Sequence, residues 1–125
     1  MDEDTLSNAI IGIAIEVHKT LGPGLLEHVY TECLYYKLQK EGFAVEKEKP
    51  LPIVFEDVKL ECGYRIDLLV ENKVLLEIKS VKALDDIHLA QTLTYLRLGQ
   101  FKLGLLMNFN TTLLKNGIKR VVNNL

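Results

Sequence analysis

Leu6, Ile10, Ile13, Val17 and Leu21 recur at intervals of three and four residues, laying one apolar stripe along a helix that opens near Thr5 or Ser7. Leu21-Gly22-Pro23-Gly24 ends it. A second stripe, Leu26, Val29, Tyr30, Cys33 and Leu34, predicts a helix closing at Gly42, a residue suited to the backbone turn that follows a helix. From Phe43 the period shortens to two. Phe43 and Val45 alternate with polar residues, Pro50 and Pro52 punctuate, and Ile53-Val54-Phe55 leads through Glu56-Asp57 to Val58 and Leu60. The clearest strands run from Tyr64 to Val70 and from Val74 to Lys79, joined by Glu71-Asn72-Lys73 as a hairpin loop. Asp85 or Asp86 caps another helix, carrying Ile87, Ala90, Leu93, Thr94 and Leu96 to about Leu98. Gly104 to Phe109 then reads as a buried strand, and Ile118 to Val122 as a weaker final one.

The order helix, helix, strands, helix, strand, without repeats or linkers, predicts one α/β domain over residues 1–125, a length that buries a core without disulfide or metal staples. The helix before Gly104 permits a parallel crossover. Apolar residues at 48% and charged residues at 26% exclude a disordered chain. The start, Met1-Asp2-Glu3-Asp4, is acidic where a secretory signal is basic, and no apolar run is long enough to span a bilayer, so a cytoplasmic protein with no membrane partner is expected. Cys33 and Cys62 lack the number and spacing of a zinc or iron–sulfur site and read as buried free thiols. A net charge of −2 gives no general attraction for nucleic acid. Lys115, Lys119 and Arg120 make a local basic patch, which reads first as an ordinary solvated edge.

The two clear strands carry their own register. Ile66, Leu68 and Val70 alternate with Arg65, Asp67 and Leu69, while Val74, Leu76 and Ile78 alternate with Leu75, Glu77 and Lys79. Matching the apolar faces pairs Val70 with Val74, Leu68 with Leu76 and Ile66 with Ile78, which sets Asp67 opposite Glu77. Opposed Cβ atoms lie roughly 4.5–5.5 Å apart, so two carboxylates meet on one face. That arrangement is unfavourable unless offset, and hard oxygen ligands so spaced suit Mg²⁺ or Mn²⁺. Lys79, on the same face, can orient or deprotonate an attacking water or stabilise charge on a phosphate, which fits phosphodiester hydrolysis. The competing reading is a surface salt-bridge network in which Lys79 and Arg65 neutralise Asp67 and Glu77.

Gly63-Tyr64-Arg65-Ile66-Asp67, Glu77-Ile78-Lys79 and Gln91-Thr92-Leu93-Thr94-Tyr95 together resemble the GhxxD, ExK and QxxxY motifs of RecB-type nucleases of the PD-(D/E)XK superfamily. Gly24-Leu25-Leu26-Glu27-His28-Val29-Tyr30 is similar to the signature of the small GxxExxY family, and the likeness covers almost the whole chain. The resemblance implies a restriction-endonuclease-like core (helix, three antiparallel strands, helix, further strand) preceded by an extra N-terminal helix. It implies a metal set of Asp67, Glu77 and Glu27, with Lys79 catalytic, and a site lined by Gln91 and Tyr95, whose i, i+4 spacing shares one helical face. His88, one turn before Gln91, and Tyr30 are further candidates for the lining, although Tyr30 reads equally well as a core aromatic. His18 is a weaker candidate than His88.

Three functional readings follow. One is a metal-dependent nuclease acting on nucleic acid, DNA first. Another is a silent nuclease-fold module that binds nucleic acid or a protein, which the intact Asp67, Glu77 and Lys79 disfavour. A hydrolase of a small phosphorylated substrate suits the near-neutral charge. So small a chain leaves little surface for gripping DNA, so a homodimer or a partner protein is expected to supply more.

Overall fold

Asp2 fixes the start of the first helix: its Oδ1 accepts the Thr5 N–H at 2.8 Å, and Glu3 and Asp4 place negative charge at the positive end of the helix dipole. Helix α1 (Glu3–Leu21) therefore opens before the expected Thr5 or Ser7. It stops at Gly22, whose φ of 72° lies in the left-handed region that glycine adopts without strain. In the computed structural model, which describes residues 1–125, helix α2 (Glu27–Lys40) follows, and then strands β1 (Val45–Pro50), β2 (Ile53–Phe55), β3 (Val58–Leu60), β4 (Arg65–Val70) and β5 (Val74–Lys79). Helix α3 (Asp86–Gly99), strand β6 (Leu103–Asn108), a 3₁₀ turn (Leu114–Gly117) and strand β7 (Ile118–Val122) complete the chain.

The main sheet has the order β1-β4-β5-β6-β7. β4 pairs antiparallel with β1 on one side and β5 on the other, β6 joins β5 in parallel after the α3 crossover, and β7 closes the far edge antiparallel. This is an α/β fold with the restriction-endonuclease-like order of elements and the extra N-terminal helix expected of it. β2 and β3 stand apart as a two-stranded hairpin. Their turn residues Glu56 and Asp57 both have positive φ, 50° and 65°, as the tightest hairpin turns require.

Side-chain alternation divides the core between the two faces. Leu68 and Val70 of β4, Val74, Leu76 and Ile78 of β5, and Leu103, Leu105 and Met107 of β6 pack with α1 and α2. Leu69 and Leu75 point the other way and pack with Tyr95 and Leu96 of α3. Gly104 lets α3 approach closely, since a Cβ there would lie 3.2 Å from Thr92 Cγ2 and 3.3 Å from Leu96 Cδ2. Cys33 is only half-buried and Cys62 is exposed, so neither is the fully buried thiol expected from its neighbours. No helix is long and apolar enough to cross a membrane.

Candidate active site

The β4–β5 register agrees with the sequence pattern: Val70 pairs with Val74, Leu69 with Leu75, and Leu68 with Leu76. At the next step the ladder gives way. Asp67 turns its carboxylate into the ladder, and Oδ2 accepts the Ile78 N–H at 2.8 Å. On the other side the β1–β4 pairing passes from Lys47–Leu68 to Lys49–Ile66 across Glu48, whose φ is 52°. β4 thus rotates at Asp67, and Ile66 packs in the α3-side cluster while Leu68 packs opposite, so the uniform apolar face expected for Ile66, Leu68 and Val70 breaks at its end. A carboxylate that replaces a ladder carbonyl is held by the backbone itself, which fixes it more firmly than a solvated surface acid.

Glu77 follows Leu75 and Leu76 on β5 and shares the face of Leu75, beneath α3. It is only 5% exposed, and its Oε1 is buried with no hydrogen-bond partner. Burial, then the negative charge of Asp67, push its carboxyl up to about 9, with Lys79 pulling weakly the other way. No ion pair in the structure contains Asp67, Glu77, Lys79 or Arg65. The surface salt-bridge alternative therefore does not form. A buried acid with an orphaned oxygen beside a second acid costs free energy unless a cation or a proton neutralises it.

This donor set fits a divalent cation. Mg²⁺ is commonly held by one or two carboxylates with water completing the octahedron, and Asp67 and Glu77, with its orphaned Oε1, are the pair that would hold such a cation here. Glu27 does not join them. It is the exposed first residue of α2, which packs on the opposite face of the sheet, and no three acidic, histidine or cysteine side chains gather into a cation-holding group. The loop before α2 nevertheless reaches this end of β5, where Ser80 Oγ donates to the Leu25 carbonyl at 2.8 Å.

α3 supplies the roof. Gln91 Nε2 donates to Tyr95 Oη at 3.1 Å, and burial first, with Glu77 and Asp67 also contributing, raises the Tyr95 phenol above its ordinary value. Tyr95 thus lies within electrostatic reach of the two carboxylates, with the exposed Gln91 bonded to its hydroxyl. His88 is engaged in holding the helix start: its Nδ1 accepts the Asp85 N–H at 3.1 Å in a capping box.

Tyr30 is a correction to the expected lining. It is fully buried on the α1/α2 face, stacked on Phe109 at 4.7 Å between centroids. Its hydroxyl donates to the Gly22 carbonyl at 2.6 Å and accepts the Leu25 N–H at 3.0 Å, which ties down the Gly22–Leu25 loop. His18 is likewise structural, with Nε2 3.1 Å from the Phe109 carbonyl oxygen. The groove it borders, about 520 Å³ between Ile15, Lys19 and Thr112, lies on α1 and away from Glu77.

Two neighbours were not singled out in the sequence. Tyr64 packs edge-on against Tyr95, 6.0 Å between centroids. Asn108 stands beside Lys79 in the parallel pairing, and the signal for it was a polar residue near the end of the apolar run from Gly104.

An α/β core that sets two acids and an unpaired lysine on adjacent strands beneath a Gln–Tyr helix defines a nuclease-like class of fold and site. The chain belongs to the PD-(D/E)XK nuclease superfamily, whose family model matches residues 4–121. Nucleases of that superfamily generally use divalent metals. No curated protein and no solved structure matches the chain.

Proposed function

We propose that the protein is a nuclease that hydrolyses phosphodiester bonds, in DNA above other nucleic acids, with Mg²⁺ or Mn²⁺ held by Asp67 and Glu77. The observation that carries this reading is Glu77 itself, buried against a second carboxylate with Oε1 unpartnered and no basic group in ion-pair contact. A divalent cation bound there supplies Lewis acidity toward a phosphoryl oxygen and lowers the pKa of a bound water. Asp67, anchored by the Ile78 amide, fixes one side of the cation-binding pair, and Glu77 is set by the β5 backbone. Lys79, unpaired and half-buried on the same face, donates to the phosphate as charge develops or orients the attacking water. Gln91 and Tyr95 offer an amide and a phenol to the substrate phosphate. The reading places this work in the cytoplasm.

Purified protein incubated with linear, circular and single-stranded DNA, in Mg²⁺, Mn²⁺ or chelator, is expected to cut only with metal. Ca²⁺, with longer and looser coordination, is expected to bind and support little cleavage. Glu77→Ala loses metal binding and cleavage together. Metal-independent cutting, or full activity in Glu77→Ala, overturns the assignment; no cleavage at all by the wild type would leave a nucleic-acid- or protein-binding module.

A further inference from the structure

The polar surface does not end at Lys79. Asn108, its partner in the parallel ladder, borders a groove of about 260 Å³ that runs between Lys82 on one side and Asn116 and Lys119 on the other. The groove is a built feature. The Asn108 amide accepts the Val81 N–H and donates to the Val81 carbonyl, each at 3.0 Å, so the segment leaving β5 is stitched to the end of β6. Gly117 brings the 3₁₀ turn so close that a Cβ there would lie 2.3 Å from the Asn108 carbonyl oxygen. A larger residue would push the wall carrying Asn116 away.

The charge of the groove runs against that of the chain. Acidic residues outnumber basic ones, 17 to 15, yet no Asp or Glu lines this groove. Lys37, Lys47 and Lys49 all sit in ion pairs, whereas Lys82 and Lys119 are exposed and pair with no carboxylate. Asp85, the nearest acid along the chain from Lys82, turns its carboxylate to the Ile87 N–H as the cap of α3. A channel lined by one sign of charge concentrates ligands of the other sign.

We propose that this groove binds the sugar–phosphate backbone of the nucleic acid strand leading away from Lys79, with Lys82 and Lys119 each meeting a phosphate and Asn116 adding a polar contact. The inference takes its ligand from the nuclease reading and adds to it the direction in which the strand leaves. Contacts of this type position a strand without reading its bases, so binding here is independent of sequence.

The test is fluorescence anisotropy with a labelled DNA strand in chelator, so that nothing is cut, as a function of salt. Lys82→Gln/Lys119→Gln is compared with wild type and with a control pair, Lys40→Gln/Lys59→Gln, of equal charge change on other surfaces. All four lysines are exposed, so the variants fold. Loss of each phosphate contact on a single strand lowers the slope of log affinity against log salt by about 0.7, so the groove variant is expected to be shallower by about 1.4 while the control pair keeps the wild-type slope. Equal slopes in the groove variant and wild type, an equal loss in the control pair, or no binding by wild type overturns the proposal. Cleavage by wild type and Glu77→Ala in Mg²⁺ is scored separately. Cleavage with unchanged slopes removes the groove alone, and absence of cleavage with a shallower groove variant removes the nuclease reading alone.

Discussion

The two faces of the main sheet are built for different ends. On the face covered by α1 and α2, a cluster of 17 buried apolar residues packs together, and the one phenol among them, Tyr30, has its hydroxyl satisfied twice. On the α3 face the cluster has 6 members, and directly beside them sits Glu77, buried with an unpartnered oxygen and a second acid for a neighbour. The first face carries the stability that lets the second hold an arrangement unfavourable in itself. Local rules of folding are broken where a site is made, and the rest of the molecule offsets the cost.

That contrast can be broken by truncation. Leu34→Ala, on the α1/α2 face, is expected to cost about 2–5 kcal/mol in urea unfolding, since it removes a fully buried side chain from a close-packed cluster. Lys79→Ala should do the reverse, changing stability far less because the half-buried lysine sits in no ion pair, while single-turnover cleavage slows by two to three decades, about 2.7–4 kcal/mol of barrier. A Lys79 variant that cuts at the wild-type rate would remove the lysine from the chemistry. Tyr30→Phe sharpens the division. It leaves the Leu25 N–H and the Gly22 carbonyl without their partner at about 1–3 kcal/mol, and cleavage per folded molecule is expected to stay at the wild-type rate. A selective loss of rate in Tyr30→Phe would return Tyr30 to the site. The smallest effect is at the roof: Asp85→Ala removes the cap of α3 and should lower the melting free energy by about 0.5–2 kcal/mol.

Much of this was legible in the chain. Period-two alternation in residues 64–79 gave the β4–β5 register, because a slip of one residue would have turned Leu68 and Leu76 to the wrong faces. The i, i+4 spacing of Gln91 and Tyr95 likewise predicted their contact. What could not be read is non-local. Periodicity marks a helix's apolar stripe but not which face of a sheet will receive it, so Tyr30, a candidate for the site lining, lies instead with α2 across the sheet. The rotation at Asp67 depends on its side chain finding the Ile78 amide, a bond between strands that alternation does not encode. Likewise, the separate β2–β3 hairpin arises because β1 pairs with β4 and not with its neighbour in sequence.

The central claim is that the acids of the α3 face are arranged for a divalent cation, and the thermal midpoint measured across pH with and without Mn²⁺ tests it most directly. Because folding raises the Glu77 carboxyl from 4.5 to about 9, the folded state takes up a proton in that interval. The stabilising contribution is complete below about pH 4.5 and is lost as pH rises toward 9. In chelator, wild type is therefore expected to lose stability with rising pH relative to Glu77→Gln, which stays neutral and should be the more stable of the two at alkaline pH. Mn²⁺ should restore the wild type, increasingly so as the proton leaves, and should do little for Glu77→Gln. Coincident pH profiles for the two proteins, with no shift of either by Mn²⁺, would contradict the account.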